Sequence, residues 1–115
     1  MLTGPKELRY YKTRSGRVPA EEWLYSLREI QARTVIQNRL ECFAEGNPGQ
    51  WRALGSGVFE LKISFGPGYR IYFGEDGATR IILLWGGDKG SQHRDIQKVH
   101  AFWKDYQGRT YGSQR

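Results

Sequence analysis

The 115-residue sequence predicts an α+β domain with two N-terminal helices and a C-terminal helix packed against a mostly antiparallel four-stranded sheet, in the order β-α-α-β-β-β-α. Three observations predict it. Phe59, Leu61, Ile63 and Phe65 alternate with Val58, Glu60, Lys62 and Ser64, and beyond Gly66-Pro67-Gly68 the apolar Tyr69, Ile71 and Phe73 alternate with Arg70 and Tyr72. Side chains alternate across a strand, so this is a hairpin with one apolar and one chemical face. Trp23, Leu24, Leu27, Ile30 and then Val35, Ile36, Leu40, Phe43 form stripes at helical spacing. Ile81 to Trp85 is apolar at every position, as in a strand covered on both faces.

In order along the chain, Glu7 to Lys12 is the first strand, built on Leu8, Tyr10 and Tyr11. Thr13 to Arg17 reads as a basic turn. Pro19 suits the first turn of a helix, and Glu21 and Glu22 suit its positive end. The second helical stripe stops at Gly46-Asn47-Pro48-Gly49. The two stripes fit either a helical hairpin or one bent helix. Gln50 to Gly57 reads as a connector, followed by the hairpin and the Glu75-Asp76-Gly77 turn. The strand Thr79 to Trp85 is expected inside the sheet and is broken by Gly86-Gly87-Asp88-Lys89-Gly90. Ser91 or Gly90 then caps a last helix, whose buried side is Ile96, Val99, Phe102, Trp103 and Tyr106. Residues 1–107 form one domain, and 108–115 lack an apolar pattern and read as a flexible tail.

A formal net charge of +6 and a pI near 9.7 favour polyanionic partners, nucleic acid first, although an acidic protein partner or simple solubility accounts for it too. Cys42 is the sole cysteine, so neither an internal disulfide nor a cysteine-based zinc site forms, and its helical stretch reads as packing. No apolar run approaches the roughly 20 residues of a membrane span, and the start has no signal-peptide pattern, so the expected location is the cytoplasm.

The hairpin's polar face carries Glu60, Lys62, Arg70 and Tyr72. If it closes across Gly66-Pro67-Gly68, Ser64 lies opposite Arg70 and Lys62 opposite Tyr72, with Arg70 diagonal to Lys62. Two neighbouring cations need an anion, either Glu60 from within or a phosphodiester from outside, with Arg70 donating as a fork and Lys62 acting as a point charge. A merely solvated strand face is the plain alternative. The site reading gains from the glycine-rich exit, which brings Lys89, Ser91, Gln92 and His93 to the start of the last helix, where backbone N–H groups favour anions. His93 and His100 share a helical face but lack a third ligand, so no metal is expected. Among Trp51, Trp85, Tyr69 and Tyr72, one or two are expected to stack on bases, the rest being core. Arg9, Lys12, Arg14 and Arg17 form a basic first strand and loop, either a polyanion contact or a solvated edge.

The element order, the run from Phe59-Glu60-Leu61-Lys62 to Gly68-Tyr69-Arg70-Ile71-Tyr72-Phe73, and Gly86-Gly87-Asp88-Lys89-Gly90-Ser91-Gln92 together resemble the RelE/ParE superfamily of type II toxins. The branch is that of the addiction-module killer proteins related to HigB, and the likeness runs from about Leu8 to Tyr106. It implies a RelE-like fold and a toxin neutralised by a cognate antitoxin, expected to be a helix-turn-helix protein. It also implies metal-independent cleavage of mRNA on the ribosome, without cofactor. ParE-type members share the fold and poison DNA gyrase instead, and an inactive homologue acting only with its antitoxin is a third possibility. By resemblance Arg70 contacts the scissile phosphate, Lys62 belongs to the basic residues of the preceding strand, and Lys89 is the basic position after the central strand. RelE has a tyrosine after that segment where this chain reads Gln92-His93-Arg94-Asp95. HigB-like toxins often use histidine there, which carries the role to His93 or Gln92. The expected catalytic set is therefore Arg70, Lys62, Glu60 as base, and Lys89 or His93 as acid. Arg9, Lys12, Tyr72 and Gln92 are expected to contact RNA.

Overall fold

Alternation along the strands divides this chain between two cores. The computed structural model describes residues 3–112. Its elements are β1 (Glu7–Tyr10), α1 (Pro19–Ser26), α2 (Ile30–Ala44), β2 (Trp51–Gly55), β3 (Val58–Ile63), β4 (Tyr69–Asp76), β5 (Arg80–Asp88) and α3 (Gln92–Tyr111), with a 3-10 turn at Lys89–Ser91 leading into α3. The class is α+β as expected, but the sheet has five strands and is mixed, in the order β1-β5-β4-β3-β2. The expected connector Gln50 to Gly57 contains the extra strand β2, antiparallel to β3. At the other edge β1 runs parallel to β5, pairing Glu7 with Arg80 and Tyr10 with Leu83.

Leu61, Ile63, Ile71, Phe73, Ile81 and Leu83 point to one face and meet Leu24, Ile36, Leu40 and Phe43 of α1 and α2. Val58, Tyr72, Ile82 and Leu84 point to the other and meet Val99 and Trp103 of α3. The β5 run is therefore interior and covered on both sides, as its composition predicts. A bulge in β5 skips Leu84 between the pairs Phe73–Leu83 and Tyr72–Trp85, so Leu84 and Trp85 both pack on the α3 side.

α1 begins with Pro19 and carries Glu21 and Glu22 in its first turn, and Arg17 reaches forward to Glu22 through two hydrogen bonds of 3.1 and 2.6 Å. Leu27 is extended, so the two stripes are separate helices. α2 ends in a Schellman motif: Gly46 takes φ +106°, its N–H donates to Phe43, and the N–H of Asn47 donates to Cys42.

Two expectations, about the end of β5 and the end of α3, need correction. Gly86 and Gly87 do not break the strand but remain within it, because their missing side chains admit neighbours. A Cβ on Gly86 would lie 2.1 Å from the Trp23 ring, and one on Gly87 would lie 2.0 Å from Asp95 Oδ2. Ser91 occupies the N-cap of α3, as expected, without a side-chain capping bond, and Asp88 caps the preceding 3-10 turn by exchanging hydrogen bonds with Ser91. α3 also continues through Tyr111, so residues 108–111 of the expected tail are helical, and 113–115 lie outside the described residues. Tyr106 Oη (2.6 Å) and Tyr111 Oη both donate to Asp76, which fastens this last stretch to the end of β4. Cys42, expected in the core, is exposed on α2. Among the described residues, no helix is long and apolar enough to cross a membrane.

Candidate functional site

The β3–β4 register decides which polar side chains meet. The loop between these strands spans residues 64–68, which moves the pairing by two residues from the expected one. Lys62 faces Arg70, and Glu60 faces Tyr72. A two-residue shift preserves the faces, so the polar row was assigned to the correct side with the wrong partners. Across the sheet two rows result: Arg52–Glu60–Tyr72–Trp85, and beside it Lys62–Arg70–Gly87.

These rows lie on the α3 side and are largely covered, contrary to the expected open chemical face. Glu60 is 4% exposed, Arg70 6% and Tyr72 0%. Burying a carboxylate requires partners. Glu60 Oε1 accepts from Gln92 Nε2 at 2.6 Å and from Arg52 Nη2 at 3.5 Å. Glu60 Oε2 lies 3.4 Å from Arg52 Nε and 3.5 Å from Arg70 Nε. Arg70 Nε has this ion pair but no hydrogen-bond partner among the described residues.

Gln50, Trp51, Arg52, Glu60, Lys62, Arg70 and Gln92 enclose a cleft of about 300 Å³ that opens to solvent. Arg52, Lys62 and Arg70 supply three positive charges, against the single carboxylate of Glu60. The cleft is therefore suited to an anion, with a fixed guanidinium on its floor and more mobile cations at its rim.

Behind this cleft lies a second, closed polar group. Asp95, 5% exposed, accepts from Trp85 Nε1 at 3.0 Å and from Ser91 Oγ. Gly87 makes room for this carboxylate against the sheet. Tyr72 stands between the two acids. Burial, reinforced by the negative charges of Glu60 and Asp95, pushes its hydroxyl far above the ordinary tyrosine value. Its Oη is enclosed and has no hydrogen-bond partner among the described residues.

Of the predicted residues, Glu60, Lys62, Arg70 and Gln92 converge on the cleft. Tyr72 needs correction as an RNA contact, because α3 covers it completely. Lys89 and His93 are exposed at the α3 entrance, where the Lys89 N–H donates to Gly68 (3.0 Å) and ties the 3-10 turn to the hairpin loop. Arg9 and Lys12 are not brought to the cleft. Arg9 is paired with Glu7 at 2.7 Å on β1, the opposite edge of the sheet, and Lys12 follows just beyond. Trp51, one of the aromatics expected to stack on bases, also lines the cleft, whereas Arg52 and Gln50 are not among the expected site residues. The available signal was the short extended pattern before Gly55-Ser56-Gly57, which places Arg52 across from Glu60 once it is read as a strand. Trp51 is half-buried edge-on against Phe59, with 5.8 Å between ring centres. Among the described residues, no three His, Cys, Asp or Glu side chains converge to hold a metal ion.

No protein-family model matches the chain. A Haemophilus influenzae protein described as an uncharacterized protein is 37% identical over 79 residues, which cover 69% of this chain and 80% of that one. That likeness shows common descent without indicating an activity, and the chain belongs to the family of this Haemophilus influenzae protein.

Proposed function

We propose that the protein is the toxin of a type II toxin–antitoxin module in the HigB-like branch of the RelE/ParE superfamily, a metal-independent endoribonuclease that cuts mRNA on the ribosome and stops translation in the cytoplasm. The observation that carries this reading is the cationic cleft in which Arg70 is buried beside Glu60 and flanked by Lys62, Arg52 and Gln92. In this reading the 2′-oxygen next to the scissile phosphate gives its proton to Glu60 and bonds to phosphorus. The bond to the 5′-oxygen breaks, and Lys89 or His93 protonates that oxygen, leaving a cyclic phosphate and a 5′-hydroxyl. Arg70 and Lys62 stabilise the charge that accumulates on phosphorus-bound oxygens. The partner that silences the toxin is a cognate antitoxin of the helix-turn-helix class.

One observation favours a second reading. Glu60 already accepts from Gln92 and faces two arginines, which suits a fixed counter-charge better than a free base. A gyrase poison that shares the fold needs no base at all. Arg70→Ala separates these from a bland outcome, since Glu60 keeps Arg52 and Gln92. The nuclease reading expects loss of growth inhibition and at least about a 100-fold drop in cleavage on programmed ribosomes. Intact mRNA with blocked DNA supercoiling by the wild-type protein supports the gyrase reading instead. Full toxicity of Arg70→Ala sinks the site.

A further inference from the structure

A larger groove adjoins the anion cleft. Val35, Arg39 and Cys42 of α2, Asn47, Gly49 and Gln50 of the following loop, and Lys62, Ile63 and Ser64 at the end of β3 line a space of about 590 Å³. Gln50 and Lys62 line both spaces, so the groove adjoins the cleft at these two residues, where β2 begins and β3 ends. The groove contains a positioned cation. Arg39 Nη2 donates to the carbonyl of Pro48 at 2.8 Å and to that of Lys62 at 3.5 Å. Gly49, at φ +70°, leaves space for the guanidinium, and a Cβ there would lie 2.4 Å from Arg39 Nη2. Val35 and Ile63 add apolar surface beside it.

A planar guanidinium fixed over a glycine, next to aliphatic surface and adjoining a cationic cleft, has the chemistry that accepts an unpaired base. We infer that this groove binds the nucleotide adjacent to the phosphate held at Arg70, so that single-stranded RNA runs from the Gln92 end of the cleft, over Lys62, to Arg39. The inference rests on the RNA-directed reading proposed above. It goes beyond that reading by assigning a second subsite to α2 and the loop after it.

Cys42, the sole cysteine, is exposed on the groove wall and reports its occupancy. The test uses the full chain and a fluorescent single-stranded hexadeoxyribonucleotide, which lacks the 2′-hydroxyls needed for cleavage. Its affinity is read by anisotropy, and Cys42 alkylation by a bulky maleimide is timed with and without it. The expected result is at least a five-fold slowing of alkylation by the hexamer and none by inorganic phosphate. Arg39→Ala and Gly49→Ala should each weaken hexamer binding about ten-fold while leaving phosphate binding unchanged. Unchanged alkylation, or unchanged hexamer affinity in both variants, overturns the groove. If that occurs while Arg70→Ala still abolishes hexamer binding, the cleft reading stands alone. If the groove variants weaken binding and Arg70→Ala does not, the groove stands and the cleft reading fails. A wild-type protein that binds no hexamer removes both.

Discussion

The two faces of the sheet are built from the same strands and solve opposite problems. Against α1 and α2, β3 and β4 present Leu61, Ile63, Ile71 and Phe73, and rings meet rings: Phe73 lies 5.4 Å from Phe59 and 4.9 Å from Phe43 between centres. Against α3 the alternate positions present Glu60, Arg70 and Tyr72, a charged pair and a hydroxyl under equal cover. The first face contributes stability by removing apolar area from water. The second stays folded only because each charge has a partner, and the partners together leave excess positive charge facing a cleft. One residue of offset along a strand thus separates packing from chemistry.

That contrast can be broken from either side. Phe73→Ala removes a fully buried ring that touches two others, and should destabilise by about 4 kcal/mol in urea unfolding while the folded fraction keeps its oligonucleotide affinity. A loss of affinity in the folded fraction would show that the two faces are not independent. Glu60→Ala should cost about 3 kcal/mol, because it strips the counter-charge from buried Arg70. Added phosphate should return part of that stability and do less for the wild type, since an anion bound only to the folded state stabilises it. No phosphate response in Glu60→Ala would mean the cleft does not hold anions.

The smallest effect sharpens the comparison at the far end of α3. Burial alone raises the Asp76 carboxyl, yet hydrogen bonds from Tyr106 and Tyr111, with the Arg80 charge nearby, hold it below the ordinary value. A depressed folded value means that this contribution is complete above the unfolded carboxyl value and is lost as pH falls through the folded one. Tyr106→Phe should therefore cost about 1.5 kcal/mol at neutral pH, and the gap from wild type should narrow below roughly pH 4. A gap that is constant from pH 7 to pH 3 contradicts this account.

Much of this was legible in the chain because alternation is a strong signal. The hairpin faces, the interior β5 and the helix stop at Gly46 follow directly from residue pattern. β2 did not, because Trp51–Gly55 is a short edge strand with three of its five residues exposed. Missing it hid Arg52, whose partner Glu60 is reached only through the β2–β3 register. The Lys62–Arg70 pairing depended on a turn length that Gly66-Pro67-Gly68 alone does not fix. Gly86 and Gly87 misled because glycine marks both chain breaks and close approaches, and only the positions of Trp23 and Asp95 decide between them.

The parallel seam between β1 and β5 governs the order of assembly. Glu7 waits for Arg80, Lys6 Nζ reaches the Ala78 carbonyl across 72 positions, and Tyr11 Oη reaches Asp105 across 94. During synthesis the first strand must remain unpaired until most of the polypeptide has left the ribosome, since such distant closures carry a large entropic cost before any contact rewards them. Gln92 likewise reaches Glu60 only after the last strand is complete. The cationic cleft is therefore assembled late, and a nascent fragment ending before α3 lacks the Gln92 bond to Glu60.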